Sequence, residues 1–502
     1  MKVRARRRLP SLRLADLEDN EPELIPAKVP HGLRVNGNNY IFKTKPFAHQ
    51  MAALRRTWML RGGALLMEQG TGKTAVAIHF VGLKHKTEGI NRVLIVGPVS
   101  TMGVWVKEFS KHLPYDISRK IYRLSGPRAR RIEKIKVARE ATGLRIVIIN
   151  YESAWRLSEE LRDFNPQIII ADESQRIKSP RAKQSKVMWR LGSLAQYRLI
   201  LTGTPIIGGA HDVWSQWSFY RPETFGDNWW KFQSHYIIKG GYLRKETVGY
   251  NDLDGLKRKV RRDSFIIRKE ECLDLPEKVF QTVPVSLSDS SKRLYNEMAT
   301  QLVAEIEDGS VSTAPIVLVK LLRLAQITSG FLKDLDGNIH DVGWEKLNDC
   351  KELIEDRVGD GHQVVVFARF RHEIARLEDS LTKAGISCDT LTGSVPPSKR
   401  DKLIEDFQSG VFSVLIAQIQ AGSLGITLTA ADTAIFMSMD FSLGNYLQAA
   451  DRLHRIGQRH TVTYLHLLVP HSIDELVYKV LREKKKIADF VLKRPRAILL
   501  SQ

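Results

Sequence analysis

The sequence has few cysteines, no long apolar run and a shortage of acidic residues, and each shortage excludes a class of protein. Its three cysteines, Cys272, Cys350 and Cys388, lie far apart without a CxxC pair, which predicts neither a disulfide framework nor a zinc site. No segment approaches the ~18 uncharged apolar residues that a membrane helix requires, so no membrane partner is expected. A repeat of about 20 to 50 residues is also lacking, which excludes solenoids and propellers.

The shortage of acidic residues leaves a strongly basic chain. Seventy-seven lysines and arginines stand against 56 acidic residues, a formal net charge of +21. Such a surplus indicates a polyanionic partner, with nucleic acid the first candidate, although most single charges can equally be solvated surface residues. The basic residues cluster at 128–139, 257–269 and 482–496, and this clustering favours contacts with phosphates.

The chain of 502 residues exceeds the ~250–300 at which one hydrophobic core stops growing, so at least two domains are expected. From residue 46 to about 205, apolar runs such as RVLIVG and IVIIN alternate with helical patterns, which predicts a parallel α/β sheet. The stretch from 206 to about 345 has the pattern of helices and loops without buried strands. The alternation resumes after 360 and predicts a second parallel sheet.

These patterns predict a set of domain boundaries. Residues 1–45 form a basic N-terminal arm, and residues 46–275 form a first lobe with a helical protrusion from about 206. Residues 276–502 contain the rest of the protrusion to about 345, a second lobe and a closing helix at 473–492. The closing helix is predicted from one apolar stripe, which consists of Ile473, Leu476, Val477, Val480 and Leu481.

The stretch MEQGTGKT at 67–74 lies between an apolar run and a helix-prone segment. Small residues followed by a helix allow backbone amides to surround anionic oxygens, so the stretch predicts a phosphate loop rather than a plain glycine turn. Lys73 is expected to reach the β- and γ-phosphates, and the Thr74 hydroxyl to bind Mg²⁺. The predicted nucleotide-binding residues here are Gly70, Thr71, Gly72, Lys73 and Thr74.

Two adjacent carboxylates, Asp172 and Glu173, follow the apolar run IIIA about a hundred residues later. Asp172 is suited to the Mg²⁺ shell, and Glu173 to the activation of water. With LTGTP at 201–205, these segments resemble superfamily-two helicases and translocases, specifically the Swi/Snf-like family. In that family the phosphate loop reads D-E-x-G-x-G-K-T, so the missing first glycine is expected.

The resemblance implies an α/β fold of two RecA-like parallel-sheet lobes with helical insertions between them, and ATP and Mg²⁺ as cofactors. Gln50, in FAHQ, matches the adenine-reading glutamine. Gln175 stands where the family usually has histidine, and we expect it to hydrogen-bond the Thr202 region; the substitution affects the coupling of hydrolysis to motion.

The most specific segment is QAADRLHRIGQ at 448–458, which matches the family's Q-A-x-D-R-x-H-R-I-G-Q. Arg452 and Arg455 lie three residues apart on a predicted helix, so both can neutralise charge that develops on the transferring phosphate. Further motifs match the family's DNA-binding or coupling segments. They supply the candidates Ser100, Thr101, Asn150, Tyr151, Thr202, Gly203, Thr204, Gly422, Ser423 and Gln448.

The resemblance implies an ATP-driven translocase on double-stranded DNA, sequence-independent, in which the two arginines act across a cleft between the lobes. Two alternatives stay open: a strand-separating or strand-annealing helicase, and a nucleotide-gated DNA-binding scaffold. The motif variants also resemble the fork-remodelling subgroup, which makes forked DNA a further expected partner. No strand-separating wedge is identifiable from the sequence; Trp229 and Trp230 are candidates, although a tryptophan pair more often packs in a core. The basic N-terminus lacks a following apolar stretch, so we expect a cytoplasmic, nucleoid-associated protein in a bacterium or virus, or a nuclear one in a eukaryote, and not a secreted one.

Overall fold

The computed structural model describes residues 32–35, 38–60, 62–203, 205, 210–240, 246–308, 314–334, 336–420 and 426–482. The chain forms two compact units, Met1–Leu273 and Asp274–Gln502. This division falls two residues before the boundary expected from the sequence. Among the described residues, no helix combines the length and apolar character needed to cross a membrane.

The first unit alternates strands and helices. Its described helices are α1 (Ala48–Met59), α2 (Lys73–Glu88), α3 (Thr101–His112), α4 (Arg128–Glu140), α5 (Tyr151–Arg156), α6 (Ser158–Phe164), α7 (Lys183–Gly192), α8 (His211–Tyr220), α9 (Trp229–Tyr236) and α10 (Leu253–Arg262). Its described strands are β1 (Gly32–Val35), β2 (Asn38–Ile41), β3 (Gly63–Met67), β4 (Arg92–Gly97), β5 (Arg119–Arg123), β6 (Leu144–Asn150), β7 (Ile168–Asp172), β8 (Tyr197–Leu201), β9 (Ile237–Gly240), β10 (Glu246–Tyr250) and β11 (Ser264–Ile267).

The described strands of this unit include a seven-stranded sheet in the order β11-β3-β8-β7-β4-β6-β5. Every pairing in it is parallel. Helices cover both faces, so the central strands are continuous apolar runs such as Ile168–Asp172, which is buried along its whole length. All carboxyl ends of a parallel sheet lie at one edge, and that edge therefore carries the loops after β3, β8, β7, β4 and β6.

The prediction that residues 206–345 contain no buried strand is wrong. Strand β11 is buried and pairs in parallel with β3 at the edge of the first sheet. Its apolar run, SFII, is only four residues long and is followed at once by Arg268 and Lys269, so its sequence pattern is weak. Its place in the sheet comes from pairing with a strand about 200 residues earlier, which local periodicity does not report.

The tryptophan pair in this region is divided between core and surface. Trp229 stacks on Phe232 at 5.8 Å and meets Trp214 edge-on at 5.4 Å. The side chain of Trp230 is 66% exposed. Packing in the core thus explains the position of Trp229, and it does not explain the position of Trp230.

The second unit repeats the alternation. Its described helices are α11 (Asp289–Glu307), α12 (Ala314–Thr328), α13 (Glu345–Gly359), α14 (Arg371–Lys383), α15 (Pro397–Gln408), α16 (Leu443–Ala450) and α17 (Ile473–Arg482). Its described strands are β12 (Lys278–Pro284), β13 (Phe331–Lys333), β14 (Ile339–Asp341), β15 (Val364–Ala368), β16 (Cys388–Leu391), β17 (Val414–Gln418), β18 (Thr433–Phe436) and β19 (Val462–Leu468).

Six described strands form a parallel sheet in the order β12-β19-β18-β15-β17-β16, with a hydrophobic core on each face. The two-lobe α/β fold is therefore confirmed, and β12 is a second strand that the sequence pattern missed. The predicted stripe of α17 is buried in the core: Ile473, Leu476, Val477, Val480 and Leu481. The rest of the predicted closing helix, like the basic cluster beyond residue 482, lies outside the described residues.

Candidate nucleotide site and nucleic-acid contacts

The phosphate loop connects the buried strand β3 to α2, which begins at Lys73. Gly70 and Gly72 both adopt left-handed conformations, with φ of 83° and 87°, which glycine adopts without steric cost. A Cβ at Gly72 would also lie 2.1 Å from Nε2 of Gln50. The loop therefore needs glycine there for two reasons, and it delivers the chain to the positive end of α2, where anionic oxygens bind well.

Side chains of the loop hold its backbone in place. The Lys73 ammonium donates to the carbonyls of Met67 at 2.8 Å and Glu68 at 3.2 Å, and the Thr71 hydroxyl donates to the Glu68 carbonyl at 2.7 Å. A carboxylate oxygen of Glu68 accepts from the amide of Lys269, just after β11, at 2.9 Å. The sheet-edge strand that the sequence pattern missed thus helps to fix the nucleotide loop.

Gln50 and His49 lie beneath the same loop. Nε2 of Gln50 donates to the Thr71 carbonyl at 3.2 Å, and its Oε1 accepts from the Phe47 amide at 3.1 Å. The His49 ring nitrogen Nε2 donates to the same Thr71 carbonyl at 2.8 Å, and burial lowers the pKa of this histidine. The predicted adenine-reading residue is therefore tied directly to the phosphate loop.

The two carboxylates lie where β7 ends. Asp172 is 7% exposed, and burial together with the adjacent Glu173 raises its pKa to about 6, against the opposing effects of hydrogen bonds from Trp105 and Thr101 and the charge of Lys73. A divalent cation would relieve the repulsion between the two carboxylates. Within the described residues no group of three or more His, Cys, Asp or Glu side chains forms a metal cage, but Mg²⁺ is usually held by one or two carboxylates plus phosphate oxygens. The oxygen donors Asp172 and Thr74 fit that ion.

Glu173 has an unusual backbone conformation, and its carboxylate lies at one end of a hydrogen-bonded chain. Its φ of 49° and ψ of 55° are left-handed, which costs about 1 kcal/mol or more for a residue other than glycine. Nε2 of Gln175 donates to the Glu173 carboxylate at 2.7 Å, and Oε1 of Gln175 accepts from the Thr202 hydroxyl at 2.8 Å. The predicted hydrogen bond between Gln175 and the Thr202 region is confirmed, and it continues to the proposed catalytic base.

Gly203 brings the end of β8 against the phosphate loop. A Cβ at Gly203 would lie 3.2 Å from the Gln69 amide nitrogen and 3.3 Å from the Met67 carbonyl oxygen. Thr202 itself is fully buried. The strand that carries the end of the Gln175 chain is thus packed directly on the loop.

The candidate nucleic-acid contacts of the first unit follow β4 and β6. Thr101 is the first residue of α3 and Ser100 precedes it, at the helix start where the first-turn amides and the helix dipole favour a phosphate. Asn150 ends β6, and its side-chain amide donates to the Glu152 carboxylate at 2.8 Å. Tyr151 is 2% exposed and its hydroxyl donates to the main-chain carbonyl of Asp172 at 2.8 Å, so its ring is a core residue and not a surface contact.

The prediction that Arg452 and Arg455 lie on a helix is wrong. Helix α16, which contains Gln448, ends at Ala450, and both arginines lie in the turns that follow. The α-helical hydrogen-bond pattern stops here, since the Arg452 amide donates to the Ala449 carbonyl three residues earlier at 3.1 Å, and the Arg452 carbonyl accepts from the Leu428 amide at 3.0 Å.

Tertiary contacts hold this turn segment. His454 donates through Nε2 to the Pro276 carbonyl at 2.7 Å, and the Arg455 guanidinium donates to the Ile426 carbonyl at 3.1 Å. Gln458 donates to the carbonyls of Ala431 and Leu453 at 2.9 and 3.2 Å. The residue spacing of the segment therefore reflects a set of anchoring contacts around the arginines, and not a helical face. Three other candidates, Thr204, Gly422 and Ser423, lie outside the described residues.

Sequence reasoning missed Trp105. Its indole Nε1 donates to Oδ2 of Asp172 at 2.9 Å, and the side chain is 1% exposed. Its position on α3 predicts only a core residue, since Trp105 and Phe109 are four residues apart on one helical face. Nothing in the sequence indicates that its polar end meets a carboxylate about seventy residues away.

The chain is similar to several known proteins. It is 26% identical over 443 residues to the mouse protein "Chromodomain-helicase-DNA-binding protein 1-like", a match that covers 85% of this chain and 47% of that protein. It is 27% identical over 434 residues to an "Uncharacterized ATP-dependent helicase" of Mycoplasma genitalium, covering 85% and 40%. The chain spans less than half the length of these two curated relatives. A solved structure, "Sulfolobus solfataricus SWI2/SNF2 ATPase core in complex with dsDNA", matches with 23% identity, coverage of 91% and 97%, and a TM-score of 0.42.

Two family models match successive parts of the chain. The SNF2-related domain matches residues 45–329, and the helicase conserved C-terminal domain matches residues 345–457. The first match alone covers more than half of the 502 residues. The chain therefore belongs to the SNF2-related family of helicase-like ATPases.

Proposed function

We propose that the protein is an ATP-driven translocase that moves along double-stranded DNA without sequence preference and remodels DNA or protein–DNA complexes. The observation that carries this proposal is the order of loops along the carboxyl edge of the first sheet. The phosphate loop follows β3, the two carboxylates end β7, and the candidate phosphate contacts follow β4 and β6, which are the next strands of the sheet.

The basic helix α4 begins at this edge. It follows β5, the last strand of the sheet, and carries six lysines and arginines, among them the exposed Arg130 and Lys136. Helix starts that favour phosphates, followed by the cations of α4, are suited to bind a nucleic-acid backbone. Proteins bind that backbone through its charge and not through its base sequence. The nucleotide site and the proposed nucleic-acid track are thus neighbours on one rigid sheet.

The residues of the nucleotide site have separable tasks in this proposal. Bound Mg²⁺ would neutralise charge on the phosphates, with Thr74 and Asp172 as its protein ligands. Lys73 and the first turn of α2 would bind phosphate oxygens, which also requires the ammonium to exchange its present carbonyl partners. Glu173 would accept the proton of the attacking water, with its carboxylate oriented by Gln175.

The Gln175 chain suggests how hydrolysis is transmitted. When Glu173 gains a proton, its oxygen becomes a weaker acceptor for the Gln175 amide, and the change reaches the buried Thr202 hydroxyl through a single side chain. Thr202 begins the segment that packs on the phosphate loop through Gly203. A change in the protonation of Glu173 would therefore also affect the phosphate loop and the end of β8.

The form of DNA that stimulates ATPase activity tests the proposal. We expect double-stranded DNA to raise the Mg²⁺-dependent ATPase rate at least as much as single-stranded DNA of the same length, and Lys73→Ala to lack activity with either. Stimulation by single strands alone would favour the strand-separating helicase, for which the exposed Trp230 is the available wedge. Nucleotide and DNA binding without turnover would favour the scaffold.

A further inference from the structure

Helix α3 connects a candidate nucleic-acid contact to a candidate metal ligand. Its first turn carries Thr101 next to Ser100, and its next turn carries Trp105, whose indole donates to Oδ2 of Asp172 at 2.9 Å. The indole is buried, and Asp172 is nearly so. This hydrogen bond therefore lies away from solvent, where its geometry matters most.

The contact is reinforced where β4 ends. A Cβ at Gly97 would lie 3.0 Å from the Thr101 hydroxyl oxygen and 3.4 Å from Oδ2 of Asp172. The start of α3 and the carboxylate thus approach each other so closely that a side chain at Gly97 would press against both.

The second candidate nucleic-acid segment also reaches Asp172, from the other side. Tyr151, the first residue of α5, donates its hydroxyl to the main-chain carbonyl of Asp172 at 2.8 Å. The main chain of Asp172 is therefore held by the helix after β6, and its carboxylate by the helix after β4. A shift at the start of α3 or at the start of α5 therefore changes the position of the same residue, Asp172.

A small shift of α3 is sufficient to weaken its contact with Asp172. A buried N–H···O hydrogen bond is formed at about 2.7–3.2 Å, so a displacement of α3 by roughly half an ångström is enough to weaken the bond from Trp105. The helix is packed through Trp105 and Phe109 into the core beneath the sheet, and such close packing transmits a displacement of the helix to its buried side chains.

We propose that Trp105 is a positioning residue through which nucleic acid bound at the start of α3 and Mg²⁺-nucleotide bound at Asp172 alter each other's affinity. This inference rests on the proposed function, since it requires nucleic acid at α3. Because binding linkage is reciprocal, the same factor must appear in both directions. The test therefore needs no turnover.

The experiment measures the affinity of a fluorescent, non-hydrolysable ATP analogue with Mg²⁺, with and without saturating double-stranded DNA, in the wild type and in Trp105→Phe. Phenylalanine keeps a buried ring and removes the N–H donor. We expect a coupling factor of about tenfold in the wild type and a factor at least about threefold smaller in the variant, in which the hydrogen bond from Thr101 to Asp172 remains. Each ligand measured alone is expected to bind the variant within about threefold of the wild type.

Trp189→Phe is the matched control. The Trp189 indole donates to the Ser215 carbonyl at 2.8 Å, in the same unit, so its partner is a main-chain carbonyl and not a carboxylate. Its loss removes one indole hydrogen bond of the same kind, so the control is expected to keep the wild-type coupling. Coupling that survives in Trp105→Phe, or that falls equally in Trp189→Phe, overturns the proposal.

Hydrogen–deuterium exchange on the wild type provides a second measurement that is independent of how the variant folds. The Mg²⁺-nucleotide is expected to slow exchange in Thr101–His112, and DNA to slow exchange in Ile168–Asp172. Absence of both effects in a protein that binds both ligands refutes the proposal. A wild type that does not bind DNA refutes the translocase function instead, so the two failures are distinguishable.

Discussion

The hydrogen-bonded chain through Gln175 makes a quantitative prediction. Gln175→Ala removes the donor to the Glu173 carboxylate, 2.7 Å away, and the acceptor of the Thr202 hydroxyl, 2.8 Å away. A hydrogen bond to a charged group contributes about 1.5–3 kcal/mol. The bond orients the Glu173 carboxylate towards the attacking water, and a cost of this size in orienting the base lowers turnover roughly 10- to 150-fold.

The loss of the hydrogen bond to Glu173 is expected to lower turnover and not ATP affinity. Its left-handed backbone is strained, and the bond from Gln175 is one of the contacts that fix its side chain. ATP affinity depends instead on the phosphate loop, so we expect it to change by less than about threefold. Steady-state ATPase assays at saturating DNA, with nucleotide affinity measured separately, distinguish the two quantities.

Gln184→Ala is the control for this prediction. Gln184 lies close by in sequence and donates to the Arg176 carbonyl at 2.5 Å on the exposed side of the same segment. It should leave both turnover and affinity near the wild-type values. Turnover of Gln175→Ala within about twofold of the wild type, or a loss confined to ATP affinity, would refute the role given to the chain.

Three further predictions concern the nucleotide and nucleic-acid residues. Glu173→Gln should lower turnover at least about 100-fold while ATP affinity is retained, because only the proton acceptor is removed; wild-type turnover would remove the base assignment. Arg452→Ala or Arg455→Ala should slow hydrolysis about 10³-fold or more, with little change in ATP affinity, since charge in the transition state is their expected target; a loss of affinity alone would give them a ground-state role. Arg130→Ser combined with Lys136→Ser should reduce the slope of log DNA affinity against log salt by about 0.9 for each phosphate that the variant no longer neutralises; an unchanged slope would exclude α4 from the track.

The fold was largely predictable because its central strands are buried on both faces. Runs such as Arg92–Gly97 and Val364–Ala368 are continuous and apolar, and this pattern is typical of parallel sheets covered by helices. β11 and β12 lie at sheet edges and are short or alternating, so their positions depend on pairing with distant strands. Local periodicity contains no information about such pairing.

The site was predictable to the extent that its chemistry is local in sequence. The phosphate loop and the adjacent carboxylates are contiguous motifs, and Gln175 lies two residues from Glu173. The turn at Arg452 was missed because the contact that holds it, from the Leu428 amide to the Arg452 carbonyl, is tertiary and leaves no local pattern. The burial of Tyr151 was missed for a similar reason, since the partner of its hydroxyl is a main-chain atom of β7.

Displacement of a third DNA strand tests the central claim most directly. A translocase that follows intact duplex strips a triplex-forming oligonucleotide from it in an ATP-dependent reaction, and a strand separator instead unpairs bases against stacking of about 1.4 kcal/mol per step. We predict ATP-dependent triplex displacement by the wild type, none by Glu173→Gln, and no unwinding of a forked duplex under the same conditions. Efficient fork unwinding without triplex displacement would contradict the account.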